Sequence, residues 1–143
     1  MMIRFRPDPA FLACRGCACW RLRQASRAVT QHYERALRGN GLHATQFSLL
    51  ALLTQTGPLT VSGLAAKLGV ERTTLTRNLR PLEAKKFVRT TTTETDQRVR
   101  RVELTAAGRA AAAKALPAWR QAHASVAPIL RRWQLENLLK SNE

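Results

Sequence analysis

The stretch from Thr60 to Leu82 constrains the fold more than any other part of this sequence. Apolar residues at positions 61, 64, 65 and 68 recur with the spacing of one helix face. Thr60 stands just before them and has the hydroxyl of a good N-cap. Gly69 follows at the point where the C-terminus of a helix favours a left-handed residue. The sequence therefore predicts a short helix that ends in a tight turn.

A second helix is predicted to begin near Glu71 or Arg72. Its buried stripe consists of three leucines: Leu75, Leu79 and Leu82. The opposite side carries hydroxyl and guanidinium groups and no carboxylate, from Thr73, Thr76, Arg77 and Arg80. Such a face suits the phosphates and base edges of a DNA major groove. The two helices thus predict a helix-turn-helix whose second helix reads DNA.

The charge of the chain points to the same partner. Lys and Arg number 24 against 9 Asp and Glu, which gives a formal net charge of +15 over 143 residues. An excess of this size favours binding to a polyanion, and nucleic acid is the first expectation. A membrane surface is an alternative partner, and a GC-rich genome that enriches Arg and Ala is an alternative cause.

Other function classes find little support in the sequence. No run reaches the roughly 18 apolar residues of a membrane span, and no signal peptide is recognisable, so a soluble cytoplasmic protein is expected. The three histidines, His32, His43 and His123, are scattered, and no glycine-rich phosphate loop is present. The chain is therefore not expected to be an enzyme or to carry a cofactor.

The remaining elements surround the helix-turn-helix. Helices are predicted from about Ala18 to Leu37, at 46–56 with Thr45 as the cap, and from Ala106 to about Leu116 with Thr105 as the cap. Residues 87–92 and 99–104 are predicted to be two strands joined by a hairpin loop. Proline is expected to bend or end the helix at Pro81, and Pro117 to interrupt or kink a helix that Ala118 to Ser125 continues. Pro128 is expected to begin a last helix, Ile129 to about Lys140.

Several motifs between residues 42 and 119 resemble those of the MarR-type winged-helix transcription regulators. They are QFSLL at 46–50, GPLTV at 57–61, LAAKLGV at 64–70, RTTLTRNL at 72–79, PLE at 81–83, DQR at 96–98 and VELTAAGR at 102–109. One departure is Lys86-Phe87, where the family more usually has Gly-Leu, so the turn into the wing is expected to differ. The resemblance implies a mainly α fold with a small β-hairpin wing, in which N- and C-terminal helices dimerise.

The resemblance also implies an assembly and a domain organisation. Two chains would form a homodimer that places its two reading helices on a pseudo-palindromic double-stranded DNA operator. The predicted units are a flexible arm at 1–16, a dimerisation helix at 17–41, the winged helix-turn-helix at 42–104 and C-terminal dimerisation helices at 105–143. Apolar residues on the terminal helices favour this assembly, because a winged helix alone could not cover them.

Eight residues are predicted to bind DNA: Lys67, Arg72, Thr73, Thr74, Thr76, Arg77, Arg98 and Arg100. Arg77 is the candidate for a base contact, whereas Lys67 and Arg72 are expected to meet phosphates. By resemblance, Arg98 is the wing arginine that enters the minor groove, and Asp96 is its ion-pair partner. The alternative is that these side chains form an ordinary solvated surface.

Cys14, Cys17 and Cys19 form a C-x-x-C-x-C cluster near the N-terminus. A fourth ligand is missing nearby, so no metal site is predicted. Cys19 lies 14 residues before Tyr33, a placement that resembles the organic-hydroperoxide sensors of the family. A helix N-terminus and nearby arginines would favour its thiolate. The alternative is a small apolar residue without redox chemistry.

The sequence thus predicts a sequence-specific DNA-binding regulator, most often a repressor in the resembling family. A small aromatic effector is the expected switch, with Trp20, His43 and Trp119 as candidate pocket residues. Two other functions stay open at this point. One is a thiol-based hydroperoxide sensor that uses Cys19, and the other is a non-specific nucleoid-binding protein.

Overall fold

A computed structural model describes residues 8–92 and 99–132 of the chain. These residues form five α-helices and three strands in the order α1 (Ala18–Leu37), α2 (Ala44–Thr56), β1 (Leu59–Thr60), α3 (Val61–Leu68), α4 (Arg72–Ala84), β2 (Val88–Thr92), β3 (Arg100–Leu104) and α5 (Ala106–Arg132). A 3₁₀ helix precedes α1 at Pro9–Gly16, and a second one follows it at Arg38–Asn40. The predicted mainly α fold with a small β wing is confirmed.

The sheet has three antiparallel strands in the order β1-β3-β2. Val102 lies opposite Leu59 of β1 and Thr90 of β2, and its side chain is fully buried. The two predicted wing strands are therefore confirmed, with β2 and β3 each beginning one residue later than expected. The sequence analysis missed β1, because a strand of two residues is too short to show an alternating pattern.

The core lies where α2 meets the winged helix. Leu49, Leu50 and Leu53 of α2 are almost fully buried, as its nearly all-apolar sequence predicts. They belong to one cluster with residues from every other helix and from the sheet, including Leu37, Leu64, Leu75, Leu82, Val102 and Ala115. This cluster fixes the helix-turn-helix on α2.

The start of α2 differs from the prediction, in which Thr45 was the cap. The helix begins at Ala44, and the carboxylate of Glu34 on α1 accepts a hydrogen bond from the Ala44 N–H at 2.8 Å. The same carboxylate bonds Nδ1 of His43 at 3.0 Å, and Gln46 Oε1 accepts from the His43 N–H at 3.1 Å. The carboxylate of Glu34, on another helix, therefore caps the N-terminus of α2, whereas the prediction assigned this cap to the hydroxyl of Thr45.

Three prolines disturb the helices less than expected. Helix α4 continues through Pro81 to Ala84, and α5 is one helix through Pro117 and Pro128, so the separate last helix is wrong. Both prolines of α5 have exposed rings. The buried stripe of α5 runs past them through Ala112, Ala115, Ala122 and Val126. Packing along this stripe offsets the hydrogen bonds that the two rings remove.

The described part of the segment predicted to be an N-terminal arm contains the 3₁₀ helix Pro9–Gly16. An Asp8 carboxylate oxygen caps it by accepting from the Ala10 N–H at 2.9 Å. Two predicted site residues, Asp96 and Arg98, lie outside the described residues, as does the remainder of the predicted helix to Lys140. None of the helices within 8–92 and 99–132 is long and apolar enough to cross a membrane.

The turn that follows α4 explains why Lys86 is an unusual residue at its position. Lys86 has φ 58°, and no other non-glycine residue of the described chain has a positive φ. Its N–H donates to the Glu83 carbonyl at 2.9 Å, and the Phe87 N–H donates to the Leu82 carbonyl at 2.8 Å. These two bonds define a Schellman motif, which favours glycine at the left-handed position. Lys86 therefore adopts a left-handed backbone conformation that glycine would adopt without strain.

We therefore expect Lys86→Gly to raise the free energy of unfolding by about 0.5–1 kcal/mol, because the left-handed conformation costs an L-residue about 1–2 kcal/mol. Glycine also makes the unfolded chain more flexible, which offsets part of this gain. Urea unfolding of the variant and the parent measures the difference. Lys86→Ala is the matched control, since it removes the charge and keeps the strain, and it should show no such gain. Equal stabilisation by both variants would contradict this explanation.

Candidate nucleic-acid interface

Local hydrogen bonds set the angle between α3 and α4. The Thr60 hydroxyl accepts from the Gly63 N–H at 3.0 Å, which confirms the predicted N-cap of α3. Gly69 is left-handed with φ 63°, and the Val70 N–H donates to the Ala65 carbonyl at 3.1 Å. The predicted cap and turn are both present. The connection between α3 and α4 is therefore a tight turn over residues 69–71.

Helix α4 presents one face to the core and another to solvent. Leu75, Leu79 and Leu82 are at most 3% exposed. The residues on the outward side are exposed: Arg72, Thr73, Thr74, Arg77 and Arg80. Described carboxylates do not lie within ion-pair distance of Arg72, Arg77 or Arg80. The helix therefore holds out a cationic, hydroxyl-bearing surface, which we call the reading face.

Thr76 differs from its neighbours on the reading face. Its side chain is half-buried, and its hydroxyl donates to the Arg72 carbonyl at 2.9 Å within the same helix. This bond occupies the one donor of the hydroxyl. What Thr76 offers to a ligand is therefore its methyl group and an oxygen lone pair. A thymine methyl group suits that surface better than a phosphate does.

The N-terminus of α4 also faces outward. Glu71 is the N-cap residue, and its side chain makes no capping hydrogen bond. The first-turn N–H groups at Arg72, Thr73 and Thr74 thus lack a capping side chain, at the positive end of the helix dipole. A DNA phosphate is a suitable partner for such groups.

A small cleft joins the reading face to the wing. It has a volume of about 200 Å³, and its lining includes Arg72 of α4, Arg100 of β3 and Ser62 of α3. Sequence reasoning predicted the two arginines separately and missed Ser62. The available signal was its position two residues after the Thr60 cap, in the exposed first turn of α3. Two guanidinium groups and a hydroxyl around one cleft suit a phosphate.

Two arginines of the wing lie close to carboxylates. Arg89 forms an ion pair with Glu103, and Nη2 of Arg100 lies 4.0 Å from the carboxylate of Glu83. Glu83 also accepts a hydrogen bond from the Thr90 hydroxyl. Arg100 is therefore oriented toward the base of the wing. Lys67, in the last turn of α3, is exposed and makes no ion pair with a described residue.

The three residues proposed for an effector pocket do not meet within one protomer. Trp119 is half-buried and stacks on His123 with ring centroids 4.7 Å apart and on Phe47 at 5.9 Å. The His43 side chain is 74% exposed and is held by Glu34. Trp20 is 51% exposed, and it lies 13 positions before Tyr33 on α1, a rise of about 20 Å. The rings of Phe47 and His123 therefore pack against the indole of Trp119 within the protomer.

Trp119 also stacks on Tyr33, whose hydroxyl lies 2.9 Å from Nδ1 of His123. Burial raises the pKa of Tyr33, so the phenol stays protonated around neutral pH. Next to this contact, His32 Nε2 lies 2.9 Å from the Ser125 hydroxyl and 3.2 Å from the Ala122 carbonyl. Side-chain hydrogen bonds thereby fix α1 on α5 beside an open cleft of about 440 Å³, lined in part by His32 and Arg35.

The three cysteines are free thiols, and all are exposed. Cys17 is the N-cap residue of α1, which places Cys19 in the first turn of the helix. Within one chain, the rise of α1 separates Cys19 from Tyr33 by about 21 Å, so the two do not touch. No group of described residues has the composition of a metal site.

The fold and the reading face define the class of protein, a winged helix-turn-helix DNA-binding protein. The model of the MarR family matches residues 42–99. The Mycobacterium tuberculosis transcriptional regulator MosR, whose crystal structure was solved in complex with DNA, shares 46% sequence identity with the chain. The two structures superpose with a TM-score of 0.76. That match covers 88% of this chain and 96% of the other. The chain belongs to the MarR family of transcription regulators.

Other solved structures share the fold. A probable transcriptional regulator from Pseudomonas aeruginosa is 26% identical with a TM-score of 0.75, over 91% of this chain and 99% of the other. The apo form of MarR from Escherichia coli is 24% identical with a TM-score of 0.65, over 87% and 94%. Comparison with curated proteins gave no match.

Proposed function

We propose that the chain is a sequence-specific transcriptional regulator that binds a pseudo-palindromic DNA operator as a homodimer and acts as a repressor. The observation that carries this proposal is the reading face of α4. Arg77 and Thr73 are exposed on it, whereas Leu75 and Leu79 between and beyond them are buried. An exposed helix of this composition, backed by a rigid core, fits a major groove.

The homodimer is supported by the location of the exposed apolar side chains. Five of the six large ones among the described residues lie on the first 3₁₀ helix, on the N-terminal half of α1 and near the end of α5: Phe11, Leu12, Trp20, Leu22 and Ile129. Trp20 and Ile129 are each 51% exposed, which is costly for a single copy in water. Burial against a second copy removes this cost and fixes two reading helices relative to each other.

Selection of bound sequences from a pool of random duplex DNA tests the proposal. We expect a nearly palindromic motif whose half-sites are about one helical turn, 10–10.5 bp, apart. A non-specific nucleoid-binding protein would enrich no motif, and its affinity would fall steeply with salt for all duplexes alike. Either an unenriched pool or a motif with a single half-site bound by a monomer would contradict the proposal.

We further propose a small aromatic effector that changes the spacing of the reading helices, since a ligand shifts an equilibrium only if it binds one state better. Trp20, His43 and Trp119 were the sequence candidates for its pocket. The arrangement of the protomer favours the side of Trp119 over that of Trp20, because the cleft between α1 and α5 lies beside it. His32 and Arg35 line this cleft and suit a carboxylate on such a ligand.

A second candidate is a sensor of organic hydroperoxides, and the exposure of all three thiols favours it. A thiolate at Cys19 would attack the outer oxygen of the hydroperoxide and break the O–O bond, which gives sulfenic acid at the sulfur. The alkoxide leaves and takes a proton from water to become the alcohol. Cys19 lies in the first turn of α1, and its exposed sulfur is open to a hydroperoxide from solvent.

Cys19→Ser distinguishes the sensor from the effector-controlled regulator. If Cys19 is the sensor, the variant should bind the operator like the parent and keep at least about 90% of its binding after hydroperoxide treatment, since serine cannot form a sulfenic acid. Cys14→Ser is the matched control and should respond like the parent. Band-shift titrations before and after treatment give the readout. Release of DNA by oxidised Cys19→Ser would rule the sensor out.

A further inference from the structure

Helix α1 joins α2 through a short connection, residues 38–43. Leu37 and Leu42 at its two ends are 0% and 3% exposed, so both ends are held in the core. Between them the backbone turns at Gly41, which is left-handed with φ 68°. We call residues 38–43 the α1–α2 corner. The direction in which α1 leaves the rest of the protomer depends on how this corner is held.

Side chains from two helices bond the α1–α2 corner and the start of α2. The carboxylate of Glu34, on α1, accepts from the Ala44 N–H at 2.8 Å, and its other oxygen lies 3.0 Å from Nδ1 of His43. Lys85, the C-cap residue of the reading helix α4, donates from Nζ to the Gly41 carbonyl at 2.8 Å. The corner is therefore tied to the dimerisation helix on one side and to the reading helix on the other.

Glu34 makes the stronger of these two attachments. Its side chain is 31% exposed and uses both carboxylate oxygens, one of them at the positive N-terminus of α2. Lys85 and Gly41 are both exposed, so water competes for the bond between them. We therefore expect Glu34 to contribute more than Lys85 to the rigidity of the corner.

Glu34 holds a different side of α1 from the residues that fix it on α5. The side chains of His32 and Tyr33 bond Ser125 and His123 of α5. Successive positions of a helix are about 100° apart, so Glu34 points away from both of its neighbours in sequence. Without its carboxylate, α1 keeps its attachment to α5 and loses the one to α2, and it can tilt.

A small tilt at the corner becomes a large displacement at the far end of α1. The helix has 20 residues and is about 30 Å long. Trp20 and Leu22, which belong to the proposed dimer surface, lie near that far end. A tilt of about 5° moves this end by about 2.5 Å. The rise of one base pair is similar, about 3.4 Å.

We propose that Glu34 is a positioning residue for operator recognition, which fixes the angle of α1 and thereby the half-site spacing that the dimer accepts. Lys85 supports the same angle from the end of the reading helix. Glu34 acts through the α1–α2 corner and not through a contact with DNA. This inference rests on the proposed function, because spacing matters only to a homodimer on two half-sites.

A series of operators with different spacers tests the proposal with the full chain. It contains the selected operator and versions with one base pair added or removed between the half-sites. We expect the parent to bind both altered operators at least about tenfold more weakly, because its two reading helices no longer fit together. Glu34→Ala should lose only about threefold or less, because an α1 that tilts lets the second reading helix follow its half-site.

Asp8→Ala is the matched control for Glu34→Ala. It also removes one carboxylate and one capping hydrogen bond, at the start of the first 3₁₀ helix. This variant should keep the dependence of the parent on spacing. Light scattering should show that the parent and both variants are dimers, and circular dichroism that all three are folded at the assay temperature.

Lys85→Met is a second variant that tests the corner without removing the cap of α2. Because the lysine is exposed, the variant is expected to fold like the parent. It should reduce the penalty for an altered spacer by about twofold, in line with its weaker, exposed bond. Lys86→Met removes the same charge from the next residue, which is also exposed, and should behave like the parent.

Uniform weakening of Glu34→Ala on every operator, with the spacing dependence of the parent, would mark Glu34 as a structural cap and overturn the proposal. So would a monomeric Glu34→Ala, an equal loss of spacing dependence in Asp8→Ala, or a parent that tolerates both altered spacers. If Glu34→Ala does not fold, a Lys85→Met protein that behaves like Lys86→Met overturns the proposal. A selection that yields no motif, or a single half-site, would instead contradict the proposed function.

Discussion

Arg77→Ala is expected to lower the preference of the protein for its operator over unrelated duplexes by about 5- to 150-fold. A bidentate contact from arginine to guanine is worth about 1–3 kcal/mol of discrimination, and each 1.4 kcal/mol corresponds to a factor of ten. Arg77 lies in the second turn of α4, exposed and free of described carboxylates. Competition titrations with operator and scrambled duplexes at one fixed salt concentration measure the ratio.

Lys67→Ala is the control for this experiment. Lys67 lies in the last turn of α3, off the reading face, and its expected contact is with a phosphate. The variant should weaken binding to operator and scrambled duplexes by the same factor and lower the salt slope by about 1. If Arg77→Ala behaves in this same uniform way, Arg77 meets the backbone, and its assignment as the base-reading residue is wrong.

Gly108→Ala is expected to destabilise the protein by about 1–3 kcal/mol, although alanine is the better helix former by about 1 kcal/mol. Gly108 lies in the first turn of α5 and is buried. A Cβ atom there would overlap the carbonyl oxygen of Phe87 and lie 2.8 Å from Cδ1 of Leu104. The same carbonyl accepts from the Thr105 N–H at 3.1 Å, so moving it also disturbs the start of α5.

Thermal and urea unfolding give the sign of this effect. Gly39→Ala is the matched control, because nothing lies within 4 Å of a Cβ at that position and its φ is not positive. It should change the free energy of unfolding by less than about 0.5 kcal/mol. A Gly108→Ala protein that is as stable as the parent would show that α5 does not approach the turn after α4 this closely.

The winged helix could be predicted from the sequence because its signals are local. The hydroxyl of Thr60, the left-handed Gly69 and the leucines of α4 each act within about one helical turn, and all three are confirmed. The exposure of Thr73 and Arg77 follows from the same periodicity. Their contact with DNA stays a prediction that the selection and competition experiments test.

The predictions that failed depended on distant parts of the chain. Glu34 lies 10 residues before Ala44, and no local pattern shows that its carboxylate caps α2. The continuity of α5 through Pro128 depends on a buried stripe that includes Ala122 and Val126. Ser62 joins Arg72 and Arg100 in one cleft only because β3 returns beside α3. Propensity rules contain no term for such tertiary contacts.

The central claim is that the outward face of α4 reads bases in the major groove, and chemical modification of the selected operator tests it most directly. Replacing one guanine per half-site with 7-deazaguanine removes the N7 acceptor that a bidentate arginine uses. We expect the replacement to weaken the parent by about 1 kcal/mol or more per half-site and to leave Arg77→Ala unchanged, which is the signature of a direct pair in a double-mutant cycle. Equal losses in both proteins at every guanine would contradict the claim.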